Sequence, residues 1–500
     1  MLASVRSATL HGVDGQIVTV EVHVSRGLPG YTIVGLPDAA GRESRDRVRA
    51  ALLSCALEWP MRRVTVNLAP ATVRKAGSGL ELAIAIALVG ADEKLPSGVL
   101  DDVGALGELG LDGRVRPVAG TLVLVDELVR AGVERVIVPE ANALEAALVP
   151  GVVVLVARTL GELHACLKGE LPWPDPPAPP AEDEAGPTDD EIVDLCEVRG
   201  LPNAQRALAV AAAGGHHILL VGPPGVGKTM LARRLPTIMA PLTRAEAIEA
   251  TKVLSAAGVA PPEGLCRLRP FRAPHHSASA VALVGGGSPR VRPGEISLAH
   301  RGSLFLDELA EFPPSVLDAL RQPLEERLIR ISRASGTIEF PADFLLIACC
   351  NPCPCGRPDQ ECHCSEVQRA RYLRRLSAPL LDRFDVRLQV HAPDPDAAPG
   401  PSSAEVRARV IAAVARQTHR LAATPWSRNA HVGGGAIETL LPLAPDVAAT
   451  WRALCRSRKL SGRGAARVRR VARTIADLDD RAAVTTTDID LAGALREDLQ

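Results

Sequence analysis

Aromatic side chains are scarce in this chain: phenylalanine, tyrosine and tryptophan together make up only 2% of its 500 residues. Proteins that hold single-stranded nucleic acid by stacking bases on aromatic rings need more of them. The formal net charge of −1 argues neither for nor against nucleic acid, so local charge has to decide. Any contact with nucleic acid should therefore depend on Arg and Lys binding phosphates, with little reading of bases.

Long apolar runs are also missing. No run reaches the length of a membrane span, and residues Met1 to Val20 lack the apolar core of a signal peptide. We therefore expect a cytoplasmic protein with no membrane partner. Its 11 cysteines should stay reduced there, so their clustering matters more than their pairing. Its 500 residues are enough for two to four domains, and the hydrophobic content of 47% supports globular packing.

Composition divides the chain into four segments. Residues 170–190 are rich in proline and acidic side chains, which predicts a semi-rigid linker. Residues 1–169 mix alternating strand patterns, such as Ile17 to Val24, with helical ones, such as Arg42 to Leu57, and predict an α/β domain. Residues 191–392 form a nucleotide module, and residues 393–500 follow a proline-rich break and read as mainly helical.

A phosphate-binding loop is the most specific signal in the chain. A buried strand at His217 to Val221 precedes it, and a helix from Met230 to Leu235, ended by Pro236, follows it. Its backbone N–H groups would surround a polyphosphate, with Lys228 neutralising the β and γ charge and Thr229 binding Mg²⁺. The loop residues are Gly222, Pro223, Pro224, Gly225, Val226, Gly227, Lys228 and Thr229. The pattern predicts ATP as cofactor; the alternative is a Gly-Pro turn before an ordinary helix.

Two later strands end in polar residues that suit the same chemistry. The strand from Ser303 ends at Asp307 and Glu308, where Asp307 would hold the Mg²⁺ shell and Glu308 would orient the attacking water. The strand from Phe344 to Cys350 ends at Asn351, which is placed to hydrogen-bond the γ-phosphate or the water. Taken alone, Asn351 could equally be a turn residue.

Arg383 lies within Leu380 to Asp385, after a basic helix. A guanidinium offered to the γ-phosphate of a neighbouring subunit would stabilise the charge of the transition state. That role requires a ring, because head-to-tail contacts that close give cyclic symmetry. A surface ion pair is the alternative.

Four cysteines, Cys353, Cys355, Cys362 and Cys364, fall within residues 353–364, directly after Asn351. Four thiols match a tetrahedral zinc site that would fix the loop before Arg383. The C-x-C spacing is tighter than usual, and His363 could replace one thiol. A redox-active or merely reduced cluster is the alternative.

Several motifs together resemble those of the magnesium-chelatase-like AAA+ ATPases, and within them the ComM/YifB branch. They are Asp194 to Gly200, Phe271 to His276, Pro293 to His300 and Leu380 to Asp385. The resemblance implies an α/β fold with a P-loop module built on a parallel sheet and a C-terminal helical lid. It also implies a hexameric ring and, for ComM, a DNA helicase that drives branch migration during natural transformation, acting on branched or partly single-stranded DNA.

The same family implies a sensor arginine in the lid. The basic stretch from Leu460 to Leu478 resembles that helix, with Arg463 as first choice and Arg467 as second. A solvated face or a contact with DNA phosphates is the alternative. The stretch Leu328 to Phe340 is similar to the hairpin that MCM-type helicases point into their channel, with Arg333 near its tip as a DNA contact. The alternative is a surface hairpin.

Residues 1–169 resemble the proteolytic (S5-type) domain of Lon, an α/β domain. By that resemblance, the nucleophile position falls on Gly79 and the lysine position near Leu122, and neither residue can perform Ser-Lys chemistry. We expect an inactive scaffold; a displaced pair of Ser78 and Lys75 is the alternative. A Lon-like protease is thus disfavoured, and the functions to weigh are a DNA motor and a chelatase-type motor that remodels a protein partner.

Overall fold

Apolar residues at alternate positions form a seven-stranded sheet near the N-terminus, with buried valines such as Val18, Val20 and Val22 on one strand. Its order is β3-β4-β2-β1-β5-β8-β9, and β2 runs antiparallel to both of its neighbours. A two-stranded ribbon of β6 and β7 lies beside it. The strands are β1 Leu2–His11, β2 Asp14–Ser25, β3 Gly30–Val34, β4 Arg63–Ala69, β5 Val103–Ala105, β6 Glu108–Leu109, β7 Val115–Arg116, β8 Arg135–Pro139 and β9 Val153–Ala157.

Within the part of the chain that the structure describes, five helices accompany this sheet, and two hydrophobic cores form, one around α2 and one around α3. Helix α2 is buried along almost its whole length because its residues are nearly all apolar. The helices are α1 Ala39–Ser54, α2 Glu81–Ala91, α3 Thr121–Arg130, α4 Ala143–Ala146 and α5 Leu160–Leu167.

The structure, a computed structural model, describes residues 1–35, 39–71, 75, 79–177, 193–261, 264–287, 291–333, 336–357, 361–394 and 396–497. The side chains of residues 39–42 and 373 are not described. Most of the predicted linker, and Ser78 of the alternative protease pair, lie outside these residues. No helix in these ranges is long and apolar enough to cross a membrane.

A second sheet of five parallel strands follows, in the order β11-β14-β17-β10-β18. Its three central strands, β14, β17 and β10, are short apolar runs that are buried on both faces, as expected of a parallel sheet covered by helices, whereas the edge strands β11 and β18 are partly exposed. The sheet strands are β10 Ile218–Val221, β11 Phe271–Arg272, β14 Ser303–Leu306, β17 Leu345–Cys350 and β18 Val386–Gln389; two ribbons pair β12 Gly285–Gly286 with β13 Arg292–Pro293, and β15 Leu328–Arg333 with β16 Gly336–Pro341.

Helices cover both faces of this sheet. They are α6 Pro202–Gly214, α7 Lys228–Ile238, α8 Arg244–Ala257, α9 Ala280–Val284, α10 Glu295–Leu298, α11 Pro314–Ala319, α12 Arg321–Glu326, α13 Glu366–Leu373 and α14 Ala378–Leu381. The expectation that Pro236 ends the helix after the loop is wrong, because α7 continues to Ile238. A proline so close to the helix end removes only one backbone hydrogen bond, and the Thr237 hydroxyl donates to the Arg234 carbonyl at 2.8 Å.

The C-terminal part is helical, as predicted: α15 Ser403–Leu421, α16 Ile437–Leu440, α17 Pro445–Ser457, α18 Gly462–Leu478 and α19 Thr486–Ala494. Helices α15 and α18 share one core with α6, α7 and one face of the parallel sheet. The C-terminal helices therefore pack directly on the nucleotide module.

The N-terminal sheet also touches the module. Lys252 Nζ on α8 donates a hydrogen bond to Asp126 Oδ2 on α3 at 2.5 Å, and the Ser255 hydroxyl donates one to Glu145. At the turn between β1 and β2, a Cβ built on Gly12 would come within 2.6 Å of Ile338 on β16. The first sheet thus contacts the middle of strand β16 in the β15–β16 hairpin.

Candidate active site

The phosphate-binding loop joins β10 to α7 at the carboxyl edge of the parallel sheet. Gly222 donates its N–H to the Cys350 carbonyl at 3.1 Å, which fixes the start of the loop to the end of β17. Gly225 and Gly227 have φ of +81° and +91°, a conformation that favours glycine. The helix begins at Lys228, so the positive end of its dipole faces the loop.

The predicted site residues around this loop meet in the structure. Lys228 Nζ donates to the carbonyls of Gly222 and Pro223 at 2.7 and 2.8 Å and to Asn351 Oδ1 at 3.2 Å. The Thr229 hydroxyl donates to Asp307 Oδ2 at 2.8 Å. Burial lowers the pKa of Lys228, since a charged amine loses hydration there. Two oxygens that suit Mg²⁺ and one ammonium group thus converge.

A cavity of about 360 Å³ opens between these groups. It is lined by Pro224, Gly225, Gly227, Lys228, Thr229, Met230, Asp307, Glu308, Cys350 and Asn351. The volume is in the range of small-molecule sites, and the lining offers backbone N–H groups, a cation and two carboxylates. The residues present therefore fit Mg²⁺ and a nucleoside triphosphate.

Glu308 stands out because it has a left-handed backbone, with φ of 51°, and is not glycine. Its backbone N–H donates to Asp307 Oδ1 at 3.0 Å. Its side chain is paired with His276, whose Nδ1 lies 3.1 Å from Glu308 Oε2, and the His275 ring packs on His276 with centroids 4.0 Å apart. The motif Phe271 to His276 contains both histidines, but nothing in the local sequence predicts their partner, because Glu308 follows a different strand, β14.

The three arginines predicted for catalysis do not line this cavity. Arg383, Arg463 and Arg467 line a separate cavity of about 510 Å³ between the module and α18, here named the arginine cavity. Arg327 and Arg470 line it too, so five guanidinium groups face three carboxylates, those of Glu325, Asp343 and Asp385. The cavity is therefore suited to an anion.

Glu325 joins two of these arginines. It forms an ion pair with Arg383 and lies 3.7 Å from Arg463 Nη1. Arg383 is only 10% exposed, whereas Arg463 is 67% exposed. Within the described part of the chain, Arg383 Nε has no hydrogen-bond partner. Such an unsatisfied buried donor is costly and leaves capacity to bind a ligand.

Arg467 is held from the other side by Asp385. Its Nε lies 2.8 Å from Asp385 Oδ1, while His216 Nδ1 lies 3.0 Å from Oδ2. Burial alone would raise the pKa of Asp385, but the His216 hydrogen bond and the Arg467 charge hold that pKa well below its usual range. Arg467 is buried, so the expectation of a solvated face does not apply to it; its Nη1 has no partner among the described residues.

The four cysteines come together as predicted. Their ligand atoms all lie within 4.8 Å of one another, and the sulfur of Cys353 is 3.3 Å from that of Cys355 and 3.4 Å from that of Cys362. The Zn–S distance of about 2.3 Å in a tetrahedral site corresponds to sulfur separations of about 3.8 Å. The geometry therefore fits a zinc site of four thiolates; His363 is not in this group.

Arg333 lies where the sequence predicts it, at the tip of the β15–β16 hairpin, paired in register with Gly336. Its side chain is exposed. Arg330, on the same strand, is instead paired with Glu326 and Glu339, at 2.7 Å each. Among residues placed by the structure, Arg333 has no such acidic partner, so its charge is available to a ligand.

Gly79 occupies the position that the resemblance to Lon assigns to the nucleophile. Leu122, near the position assigned to the lysine, is buried on α3. Lys75 is also buried, and its Nζ donates to the Pro70 carbonyl. Burial lowers the pKa of Lys75. The displaced pair stays untested, because Ser78 lies outside the described residues.

A P-loop after β10, a polar residue after the adjacent strand β17 and two acids after β14, the next strand along the sheet, define a P-loop ATPase of the AAA+ class. Comparison with known protein families supports the same class. The family model for "Magnesium chelatase, subunit ChlI" matches residues 194–397, that for "Subunit ChlI of Mg-chelatase" matches residues 20–142, and that for the ChlI C-terminal part matches residues 400–496.

Relatives that match along nearly the whole chain show which branch of this class the chain belongs to. The protein YifB of Salmonella typhimurium is 43% identical, with 96% of this chain and 94% of the relative covered. The competence protein ComM of Haemophilus influenzae is 41% identical, with 95% and 94% covered. The chain belongs to the ComM/YifB family of magnesium-chelatase-like AAA+ ATPases. The Lon protease of Rhizobium meliloti is 29% identical over 35% of the chain, so the Lon likeness is confirmed as a partial similarity.

Proposed function

We propose that this protein is an ATP-driven ring motor that acts on DNA in the cytoplasm, and that it is a helicase promoting branch migration during recombination or natural transformation. Membership of the family supports the ATPase, and the printed name of the relative ComM, a competence protein, supports the link to DNA uptake. The division into residues 1–169, 170–190, 191–392 and 393–500 is part of this proposal.

In the proposed reaction, the loop N–H groups and Lys228 bind the phosphates, and Thr229 and Asp307 hold Mg²⁺. The metal ion would neutralise charge on the phosphate oxygens. Glu308 orients the attacking water and draws its proton, and its fixed backbone limits where its carboxylate can point. Asn351, whose Oδ1 accepts a hydrogen bond from Lys228, also hydrogen-bonds the water or the γ-phosphate.

The observation that carries the ring is the separation of the two cavities. The linings of the two cavities share no residue, and Arg383 lines the arginine cavity rather than the one beside Lys228, so we infer that it does not serve the nucleotide of its own chain. In the described structure, Arg383 Nε and Arg467 Nη1 are buried donors without hydrogen-bond partners, and Arg463 adds an exposed positive charge to the same cavity. We therefore assign all three to the nucleotide of the neighbouring subunit in a hexameric ring, where their charge stabilises the transition state.

For DNA, the proposal relies on phosphate contacts. Arg333 projects from a hairpin tip and would bind a phosphate as the ring changes state. The low aromatic content agrees with a grip that does not stack bases. The proposal also includes one structural Zn²⁺ held by Cys353, Cys355, Cys362 and Cys364.

The deciding experiment is strand exchange on a labelled mobile four-way or three-stranded junction, with ATP, comparing wild type with Glu308→Gln at matched concentration. Migration should require both ATP and Glu308. Absence of migration, together with an ATPase rate that is the same with and without DNA, would refute the DNA motor.

That second result would favour a chelatase-type motor, which the name of the matching family models supports as the alternative. Such a motor would remodel a protein partner for metal insertion. A search for the partner, by following ATPase stimulation across purified fractions, would then be the next step.

A further inference from the structure

The loop that carries the cysteine cluster touches the nucleotide site. A Cβ atom built on Gly356 would lie 3.2 Å from Cγ of Pro224 and 3.7 Å from Nδ2 of Asn351. Pro224 belongs to the phosphate-binding loop, and Asn351 is bonded to Lys228. The position of the cysteine loop therefore bears on both sides of the cavity that binds the phosphates.

Ordinary packing does little to hold this loop in place. Residues 351–365 connect β17 to α13, and Cys353 is the only buried residue among those described between them. Regular structure also contributes little there: Gly356 donates to the Cys353 carbonyl at 3.3 Å, and Ser365 caps α13. A segment with so little buried apolar surface needs a cross-link to keep one conformation.

The cross-link would act close to the catalytic groups. Cys353 is two residues from Asn351 and three from Cys350, the residue whose carbonyl binds the first glycine of the phosphate loop. Cys364 lies at the other end, directly before the cap of α13. A metal joining the four sulfurs would fix Asn351 relative to Pro224 from one side and to α13 from the other.

We propose that Zn²⁺ bound by Cys353, Cys355, Cys362 and Cys364 holds the loop against Pro224 and Asn351, so that occupancy of the metal site sets the affinity of the nucleotide site. This inference rests on two parts of the proposed function, namely that nucleotide binds at Lys228 and that the four cysteines hold Zn²⁺. Loss of the metal frees the loop and Asn351, so that nucleotide binding has to order them again; the entropy of fixing the backbone of one residue corresponds to about a tenfold change in affinity.

The test uses full-length protein from zinc-supplemented culture. Zinc is measured per chain by mass spectrometry, and the affinity for a fluorescent ADP analogue is measured in excess Mg²⁺. The titration is made before and after treatment with a chelator selective for zinc over magnesium, and again after zinc is restored. We expect about one zinc per chain, an affinity for the ADP analogue about tenfold weaker without it, and recovery on its return.

Two pairs of variants separate the metal from the contact. Cys355→Ser should lose zinc and nucleotide affinity together, whereas Cys455→Ser, on α17 away from the cluster, should lose neither. Gly356→Ala keeps all four thiols but places a Cβ against Pro224, so it should keep zinc and bind nucleotide more weakly. Gly132→Ala is its control, because Gly132 has a similar φ of +83° with nothing within 4 Å of the added Cβ.

The outcomes are distinct. Protein without zinc overturns the inference, as does zinc-free protein that binds nucleotide as tightly as the loaded form. Wild-type affinity in Gly356→Ala overturns the contact as the route. Zinc-loaded wild type that binds no nucleotide would instead refute the proposed ATPase, so the two failures can be told apart.

Discussion

Replacing Arg383 with alanine should abolish ATP hydrolysis while leaving the subunit folded and able to bind nucleotide. Its guanidinium contacts Glu325, which is 49% exposed, and the Pro379 carbonyl at 3.4 Å, a long hydrogen bond. A pair with one solvated partner contributes about 1 kcal/mol at most, so the free energy of unfolding should fall little. Removal of an arginine that stabilises phosphoryl transfer lowers turnover roughly 10³-fold, or about 4 kcal/mol of transition-state stabilisation.

Mixing two inactive variants tests whether Arg383 acts on its neighbour. A Lys228→Ala subunit cannot bind nucleotide in its own site but still offers an intact Arg383 to its neighbour. An Arg383→Ala subunit binds nucleotide in its own site but offers no arginine to its neighbour. In a randomly mixed ring, a site works when an Arg383→Ala subunit is served by a Lys228→Ala neighbour, which happens for about one quarter of sites at equal concentrations. If both residues served the same site, no site would work.

The assay is steady-state phosphate release, with the two variants mixed over a range of ratios, after subunit exchange has been verified by light scattering and labelled subunits. Activity should rise to a maximum near the equal mixture, at about a quarter of the wild-type rate if sites act independently. Mixtures that stay inactive while exchange is complete would refute action between subunits. Full activity of Arg383→Ala alone would refute any role for it in hydrolysis.

Three further predictions concern other parts of the molecule. Glu308→Gln should retain ATP affinity but trap ATP unhydrolysed, because the amide cannot draw a proton from water; normal turnover by filter binding and phosphate release would contradict its role. Arg333→Ala should weaken DNA binding and lower the slope of log affinity against log salt by about one per engaged arginine, whereas Arg330→Ala, whose guanidinium is already paired, should not. Burial lowers the pKa of His217 to about 4, from 6.5 when unfolded, and its Nδ1 accepts a hydrogen bond from Leu346 N–H at 3.1 Å. As the pH falls from 6.5 to 4, His217 is protonated in the unfolded chain before it is protonated in the folded chain. The free energy of unfolding should therefore fall by up to about 1.4 kcal/mol per pH unit over that range. If His217→Gln, which keeps a hydrogen-bond acceptor, shows the same pH dependence of unfolding as wild type, the prediction is wrong.

Local pattern was sufficient to predict the nucleotide site. The spacing of glycines, Lys228 and Thr229 is set by backbone geometry within one turn, and Asp307 and Asn351 each follow an apolar strand. Parallel strands bring their carboxyl ends to one edge, so residues after separate strands meet even though they are far apart in sequence. The cysteine cluster was predictable for a similar reason, because all four thiols lie on one short loop.

The partners of charged groups were not predictable in this way. Nothing in the local sequence indicates that His276 pairs with Glu308, that Glu325 joins Arg383 and Arg463, or that Asp385 holds Arg467. The lid arginines lie on a helix whose pattern fits several roles, and only its packing on the module decides which cavity it faces.

The sequence by itself determined the class of the protein, the phosphate-binding loop and the thiol cluster, because each depends on residues that are close in the chain or placed by a repeating strand. Only the tertiary structure decided that the arginines gather in a second cavity apart from Lys228, and that the cysteine loop rests on Pro224 and Asn351. Those contacts arise between elements joined by long connections, where side-chain packing and buried charge, rather than local preference, select the arrangement.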